Sequence, residues 1–178
     1  AYDGFKPPSF LEVPGAKEVG IEFHSLSKTY NMAGCRIGFA VGNREVLAVL
    51  AQLKSNIDYG VFRVVQEAAI AALEGPQDCV EEMARTYMKR RDVLVEGLAG
   101  CGWHVPKPRA SMFVWAPLPP GYTSSRQFAL ELLHRAGVLV IPGVAFGAGG
   151  EGYVRIALVQ EVEVLEEAVE RIRRSFAF

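Results

Sequence analysis

The chain has 178 residues, half of them hydrophobic, with a formal net charge of −1 and an isoelectric point near 6.4. This length and apolar content are enough for one hydrophobic core or two small ones. The near-neutral charge gives no indication of binding to nucleic acid or to an anionic membrane. Three cysteines, an odd number without metal-ligand spacing, predict a reduced cytoplasmic protein with no metal site, and no apolar run is long enough to span a bilayer.

The first residues predict a loop followed by two strands. Residues 1–18 are rich in proline and glycine and predict a loop. The apolar runs at 19–24 and 36–42 predict short strands. Because both runs are continuous rather than alternating, we expect a parallel sheet that is covered on both faces.

Three helices are predicted in the middle of the chain. Asn43 is a suitable N-cap for a helix over 44–55, whose apolar residues follow helical spacing. A second helix is predicted over about 61–74, where the following Gly75 and Pro76 are stop signals. A long helix is predicted over about 77–99.

The remaining residues predict a mixture of strands and helices. Strands are expected at 103–106, 111–117, 138–141 and 153–159, and helices at 124–136 and 161–175. Ser124 or Ser125 is expected to open the first of these helices.

The most informative stretch runs from Ser25 to Gly38. It places Lys28 directly after Ser27 and places Arg36 between two glycines. Serine hydroxyls and the fixed fork of guanidinium donors suit a phosphate group. A lysine beside a phosphate site suits an aldehyde cofactor that carries a phosphate, and pyridoxal 5'-phosphate fits that description.

This stretch resembles the Schiff-base segment of class I/II aminotransferases, the fold-type I enzymes that use pyridoxal phosphate. The family pattern is Ser-x-Ser-Lys followed by Gly-x-Arg-x-Gly, and every element of it is present. Residues 142–147 are similar to the family's Pro-Gly-x-x-Phe-Gly turn, and residues 152–158 are similar to its Gly-x-x-Arg strand. Three motifs in the same order are more specific than any one of them. The residues around Lys28 look closest to the LL-diaminopimelate branch of the family.

The resemblance implies an α/β fold: the C-terminal part of a fold-type I transferase, with the end of the large-domain sheet and an α+β small domain. The expected divisions are 1–76 for the pyridoxal-phosphate-binding large domain, 77–100 for a linking helix and 101–178 for the small domain. Family members also need an aspartate, a tyrosine and an asparagine that would precede Ala1. We therefore expect this chain alone to be inactive.

The resemblance also implies roles for five residues. Lys28 is expected to hold the cofactor as a Schiff base and then to act as general base. Arg36 and Ser25 are expected to bind the cofactor phosphate, and the alternative for Arg36 is a structural ion pair. Ser27 is a further phosphate ligand or a cap of the turn. Arg155 is expected to bind the substrate α-carboxylate through its planar donors, the alternative being an exposed strand position.

The implied activity is transfer of an amino group from an amino acid to a 2-oxo acid, in a protein that is a homodimer when intact. Two alternatives remain open: a carbon–sulfur β-lyase of the same fold, and a non-catalytic aminotransferase-like sensor region of a transcription regulator. The substrate side chain is not assigned by the sequence.

Residues 147–152 also match the pattern Gly-x-Gly-x-x-Gly. A dinucleotide-binding loop of this kind must follow a strand and open a helix. Because a strand is predicted to follow it here, we reject a dinucleotide site.

Overall fold

The computed structural model describes all 178 residues, which form a mixed α/β fold of two compact units. The first, which we call the N-terminal unit, comprises Lys6–Met83. The second, the C-terminal unit, comprises Ala1–Phe5 and Ala84–Phe178. No helix has the length and apolar character needed to cross a membrane.

The N-terminal unit contains two strands, four helices and the beginning of a fifth helix. In chain order these are α1 (Ala16–Val19), β1 (Ile21–Ser25), α2 (Leu26–Thr29), β2 (Gly38–Gly42), α3 (Arg44–Ile57), α4 (Arg63–Glu74) and α5 (Asp78–Ala99), which continues into the C-terminal unit. Single 3₁₀ turns are present at Phe10–Glu12 and Ala33–Cys35. The region 1–18, which was predicted to be a loop, therefore contains the 3₁₀ turn Phe10–Glu12 and most of helix α1.

The predicted helices of this part of the chain are confirmed, with small shifts at their ends. Asn43 is the N-cap of α3: its Oδ1 accepts a hydrogen bond from the backbone N–H of Val46, at 2.9 Å. At the end of α4 the Gly75 N–H donates to the carbonyl of Ala71 at 3.0 Å. The local capping chemistry thus determines where these helices begin and end.

Strands β1 and β2 pair antiparallel, from Ile21 opposite Gly42 to Ser25 opposite Gly38. The predicted parallel arrangement is wrong for this pair, because the connection over 26–37 reverses the chain direction. The predicted burial of both faces is also not found within the chain, since the side chain of Phe23 is 69% exposed.

The C-terminal unit packs helices against one face of a three-stranded sheet. Its elements after α5 are β3 (Phe113–Pro117), α6 (Ser125–Glu131), β4 (Ile141–Pro142), β5 (Tyr153–Ala157) and α7 (Val162–Ser175), with the strand order β3–β5–β4 and antiparallel pairing throughout. The buried face of the sheet meets α5, α6 and α7 in one core, formed by residues such as Val114, Val154, Leu98, Phe128 and Ile172. The opposite face of the sheet carries Phe113 and Trp115 of β3 and Tyr153 and Arg155 of β5.

Three predictions for the C-terminal unit need correction. The strand predicted at 138–141 is limited to the two residues of β4, Ile141–Pro142. Residues 103–106 form no strand, although buried Trp103 and Val105 alternate with exposed neighbours. The Trp103 indole N–H instead donates to the carbonyl of Pro117, at 2.7 Å. The helix predicted over 124–136 is α6 followed by a π-helical turn at Leu132–Ala136, and Ser124 is its N-cap.

Two buried arginines of α5 have their charge paired within the C-terminal unit. Arg91 contacts the carboxylates of Asp3 and Asp92, at 2.9 and 2.8 Å, and its side chain is 1% exposed. Arg90 pairs with Glu161 at 2.5 Å. Buried charges in proteins normally have such partners, because an unpaired charge is costly to remove from water.

Candidate active site

Three of the predicted site residues lie on one short turn at the end of β1. Ser25 is the last residue of β1 and the N-cap of α2, where its Oγ accepts a hydrogen bond from the Ser27 N–H at 3.2 Å. Ser25, rather than Ser27, therefore caps the turn. The Ser27 hydroxyl makes no hydrogen bond within the chain, and Lys28 follows it as an exposed residue of α2.

The turn that carries Lys28 is held in place by its apolar neighbour Leu26. The Leu26 side chain is buried, with 1% of its surface exposed. Its backbone N–H donates to the carbonyl of Ile37 at 3.4 Å, just before β2. The hydroxyl of Tyr30, which follows α2, also donates to the Gln77 Oε1 at 2.9 Å. These contacts fix the position of the α2 backbone that carries Lys28 relative to β2 and Gln77.

Arg36 precedes β2 in a left-handed backbone conformation, with φ of 53°. Its Nη1 donates to the carbonyl of Ala33 at 2.8 Å, which closes a local loop. The guanidinium is exposed and makes no ion pair with any carboxylate of the chain. The alternative of a structural ion pair is therefore not found, and most of the five donors are available for an anion.

Gly38 closes the same motif for a steric reason. It lies opposite Ser25, and a Cβ at this position would lie 2.5 Å from the carbonyl oxygen of His24. Only glycine allows β2 to approach β1 this closely. By contrast, a Cβ at Gly34 would meet nothing within 4 Å, so packing does not require the first glycine of the motif.

The donors of this segment fit the chemistry of pyridoxal 5'-phosphate. A phosphate needs hydrogen-bond donors and positive charge, and the two serine hydroxyls and the Arg36 guanidinium offer both. An aldehyde needs a primary amine, and Lys28 is the lysine of this segment. Within the chain, no three His, Cys, Asp or Glu side chains are grouped so that they could hold a metal ion.

Arg155 lies at the centre of β5, in the C-terminal unit, with Trp115 of β3 and Ile141 of β4 as its pairing partners. Its side chain projects from the face of the sheet opposite the core and is half-buried. The Cζ atom lies 4.2 Å from the centre of the Phe113 ring and 4.5 Å from the centre of the Phe146 ring.

Arg155 differs from the buried arginines of α5 because it has no carboxylate partner. It makes no ion pair and no hydrogen bond within the chain, and its guanidinium instead makes cation–π contacts with the two aromatic rings. Its planar fork of N–H donors is suited to bind a carboxylate through two parallel hydrogen bonds. The site can therefore accept an anionic group from outside the chain.

The turn that carries Phe146 is built by close backbone packing. Residues Gly143–Phe146 form a 3₁₀ turn, and Gly143 lies so close to the carbonyl of Gly150 that any side chain would overlap it. Nearby, the Ser125 backbone N–H donates to Glu151 at 2.6 Å. This hydrogen bond and one from the Gly152 N–H hold the pKa of the Glu151 carboxyl below its usual value.

The glycine-rich residues that follow are structural. Ala148–Gly150 form a 3₁₀ turn, and strand β5 comes next rather than a helix. This order confirms that the Gly-x-Gly-x-x-Gly match is not a dinucleotide-binding loop.

The contact of Arg155 with Phe113 was not predicted from the sequence. Alternation along β3 places Phe113 and Trp115 on one face of the strand. The register that sets β3 against β5 is a long-range property, however, and only that register brings Phe113 to the arginine.

Comparison with known proteins gives the family. The sequence model of the family "Aminotransferase class I and II" matches residues 1–172. The chain is 59% identical to the LL-diaminopimelate aminotransferase of Syntrophobacter fumaroxidans over 174 residues, which are 98% of this chain and 45% of the relative. It is 51% identical to the glutamate-pyruvate aminotransferase AlaC of Escherichia coli over 177 residues, which are 98% of this chain and 43% of AlaC.

Solved structures agree with the sequence relatives. Apo-BacF from Bacillus subtilis superposes with a TM-score of 0.92 at 40% identity, covering 98% of this chain and 45% of that one. A probable N-succinyldiaminopimelate aminotransferase from Thermus thermophilus gives 0.89 at 44% identity, covering 97% and 46%. The chain therefore belongs to the class I and II aminotransferases and has the fold of part of a fold-type I enzyme. It spans about half the length of the curated relatives that it matches.

Proposed function

We propose that this chain is the part of a pyridoxal-phosphate-dependent aminotransferase that holds the cofactor phosphate and aldehyde and recognises the substrate carboxylate. The observation that carries the proposal is the pair of arginines, Arg36 and Arg155, that have no carboxylate partner within the chain. Each lies in a family motif, and each leaves planar donors available for an anion. The named relatives are aminotransferases, which favours this activity over a carbon–sulfur lyase.

The segment over 25–38 is proposed to hold the cofactor. Arg36 would bind the phosphate through the guanidinium donors that Ala33 does not use. The Ser25 hydroxyl, whose oxygen already accepts from Ser27, can still donate its proton to a phosphate oxygen. Ser27 would add a second hydroxyl from the same turn.

Lys28 is proposed to act twice. When bound, pyridoxal phosphate supplies an aldehyde that can join to an amine. It also supplies a ring that withdraws electrons from the amino acid attached in this way. The Nζ of Lys28 would first hold the aldehyde carbon. Once the substrate amine has displaced it, the same Nζ would take the proton from the substrate Cα and deliver it to the carbon that had been the cofactor aldehyde.

Arg155 is proposed to bind and orient the α-carboxylate of the amino acid. Two parallel hydrogen bonds from a planar guanidinium fix both the position and the rotation of a carboxylate. Since correct orientation of the reacting bond lowers the barrier, this contact serves the reaction as well as binding.

We further propose a homodimer, a cytoplasmic location and the domain divisions 1–76, 77–100 and 101–178 for the complete protein. The large apolar side chains exposed along α3, such as Val49, Leu53 and Ile57, support coverage of this helix by a second copy. The two compact units divide within α5, which supports a boundary in the linking helix, but Ala1–Phe5 pack with the C-terminal unit and not with the rest of 1–76. Three free cysteines support a reducing compartment.

The test of the proposed function is replacement of Lys28 in the complete polypeptide. Lys28→Ala should abolish transfer of the amino group from L-glutamate to a panel of 2-oxo acids, whereas Lys17→Ala should retain it. Lys17 is a suitable control because it is an exposed lysine on a short helix of the same unit. Activity that survives in Lys28→Ala would contradict the proposed function.

A further inference from the structure

The face of the C-terminal sheet opposite the core carries an aromatic cluster around one arginine. The cluster consists of Phe113, Trp115, Phe146 and Tyr153, and the arginine is Arg155. Trp115 stacks on Tyr153 with 5.4 Å between ring centres and meets Phe146 edge-on at 5.6 Å. Phe146 therefore contacts both Trp115 and the guanidinium of Arg155, at 4.5 Å.

Phe146 has little reason to occupy this position as a core residue. Its side chain is 49% exposed, whereas the core residues of the same unit are buried. It comes from the tight 3₁₀ turn Gly143–Phe146, whose backbone is fixed by the close approach of Gly143 and Gly150. The turn thus presents a large, half-exposed ring to a charged side chain.

An aromatic partner has a consequence for Arg155 that a carboxylate partner would not have. The ring attracts the cation electrostatically and limits the rotation of the long side chain. An aromatic ring accepts no conventional hydrogen bond, so it leaves the N–H donors of the guanidinium available for a carboxylate. A carboxylate partner, of the kind that Asp3 and Asp92 provide for Arg91, would instead compete with the substrate for these donors.

We infer that Phe146 is a positioning residue for substrate recognition: its ring holds the Arg155 guanidinium in the orientation that binds a carboxylate. This inference rests on the proposed role of Arg155. Phe146 acts through Arg155 and need not touch the substrate. The motif Pro-Gly-x-x-Phe-Gly accordingly has two roles. Its glycines form the turn, and its phenylalanine orients the arginine of the next strand.

The test is a double-mutant cycle read by equilibrium binding. The probe is glutarate, an unreactive dicarboxylate, and its Kd is measured by calorimetry on the complete protein. Phe146→Leu should raise the Kd about two- to fivefold, the size expected for one exposed cation–π contact. Phe146→Tyr, which keeps the ring, should bind as the wild type does. Val144→Ala, in the same turn, should also leave the Kd unchanged.

The coupling between the two residues decides the inference. In an Arg155→Ala background, Phe146→Leu should have no further effect on the Kd, because its partner is gone. An equal effect with and without Arg155, or a Phe146→Tyr variant as weak as Phe146→Leu, would overturn it. If the wild type neither binds glutarate nor transfers the amino group of L-glutamate, both the proposed function and this inference are wrong. If the wild type does both, a lack of coupling rejects the inference alone.

Discussion

Ser25 of β1 lies directly opposite Gly38 of β2 in the antiparallel pair. The connection between them leaves the sheet after Ser25 and returns to it at Gly38. Lys28 and Arg36 both lie in this connection, each within three residues of the paired positions. The short sheet thus anchors the connection that carries both Lys28 and Arg36, and we expect a change at Gly38 to affect both residues.

Gly38→Ala should destabilise the protein and weaken its hold on pyridoxal phosphate. The added Cβ would lie 2.5 Å from the carbonyl oxygen of His24, and such overpacking costs about 1–3 kcal/mol. Urea unfolding and a pyridoxal phosphate titration of the complete protein measure the two effects. Gly34→Ala is the matched control, because its Cβ would meet nothing within 4 Å. Equal effects of the two substitutions would show that the close approach at Gly38 does not matter.

Arg36→Ala should raise the pyridoxal phosphate concentration needed for half-maximal activity. Loss of charged hydrogen bonds to the phosphate predicts a rise of about tenfold or more. Cofactor titration of the apoenzyme measures it, with the kcat at saturation expected to fall much less. Arg44→Ala, an exposed arginine at the start of α3, serves as the control. An unchanged cofactor requirement in Arg36→Ala would remove Arg36 from the phosphate site.

Arg155→Ala should leave the cofactor bound but reduce kcat/KM for amino acids by about 100-fold or more, since a charged bidentate contact is lost. A simple amine without a carboxylate should be nearly indifferent to the change. Steady-state kinetics with both kinds of substrate, together with the cofactor absorbance spectrum, separate the two roles. If the variant instead loses the cofactor while discrimination between substrates persists, Arg155 is a structural residue.

Glu151 should contribute stability at neutral pH that is lost in acid. Backbone N–H donors of Ser125 and Gly152 lower the pKa of Glu151 in the folded state, so its contribution is present above its usual pKa and disappears as the pH falls through the lowered value. Glu151→Gln should therefore be less stable than the wild type at pH 7, and the difference should shrink in acid. Thermal unfolding across this pH range measures it. Glu166→Gln, at an exposed position of α7, serves as the control for removal of a surface carboxylate.

Local chemistry explains why much of the fold could be predicted. The Asn43 cap fixes the start of α3 through one hydrogen bond to Val46, and Gly75 ends α4, so both signals lie within a few residues of the structure they determine. The motif around Lys28 lies within the single connection between β1 and β2, so its pattern could be recognised from the sequence, and the roles of its residues stay predictions. Helices and their caps are determined by residues that are close together in the sequence.

The errors arose where distant residues decide the structure. A continuous apolar run does not specify strand direction, and the antiparallel pairing of β1 and β2 depends on how the connection between them turns. Residues 103–106 alternate as a strand would, but no strand pairs with them, and the Trp103 indole binds Pro117 instead. The contact between Phe113 and Arg155 likewise depends on the register of β3 against β5.

The covalent attachment of the cofactor to Lys28 is the central claim, and it can be measured directly. The complete protein, loaded with pyridoxal phosphate, is treated with borohydride so that a lysine joined to the cofactor becomes permanently labelled, and its peptides are mapped by mass spectrometry. We predict the label on the peptide that contains Lys28 and its absence after prior incubation with an excess of amino-acid substrate. A label on another lysine, such as Lys17 or Lys54, with Lys28 unmodified, would contradict the account.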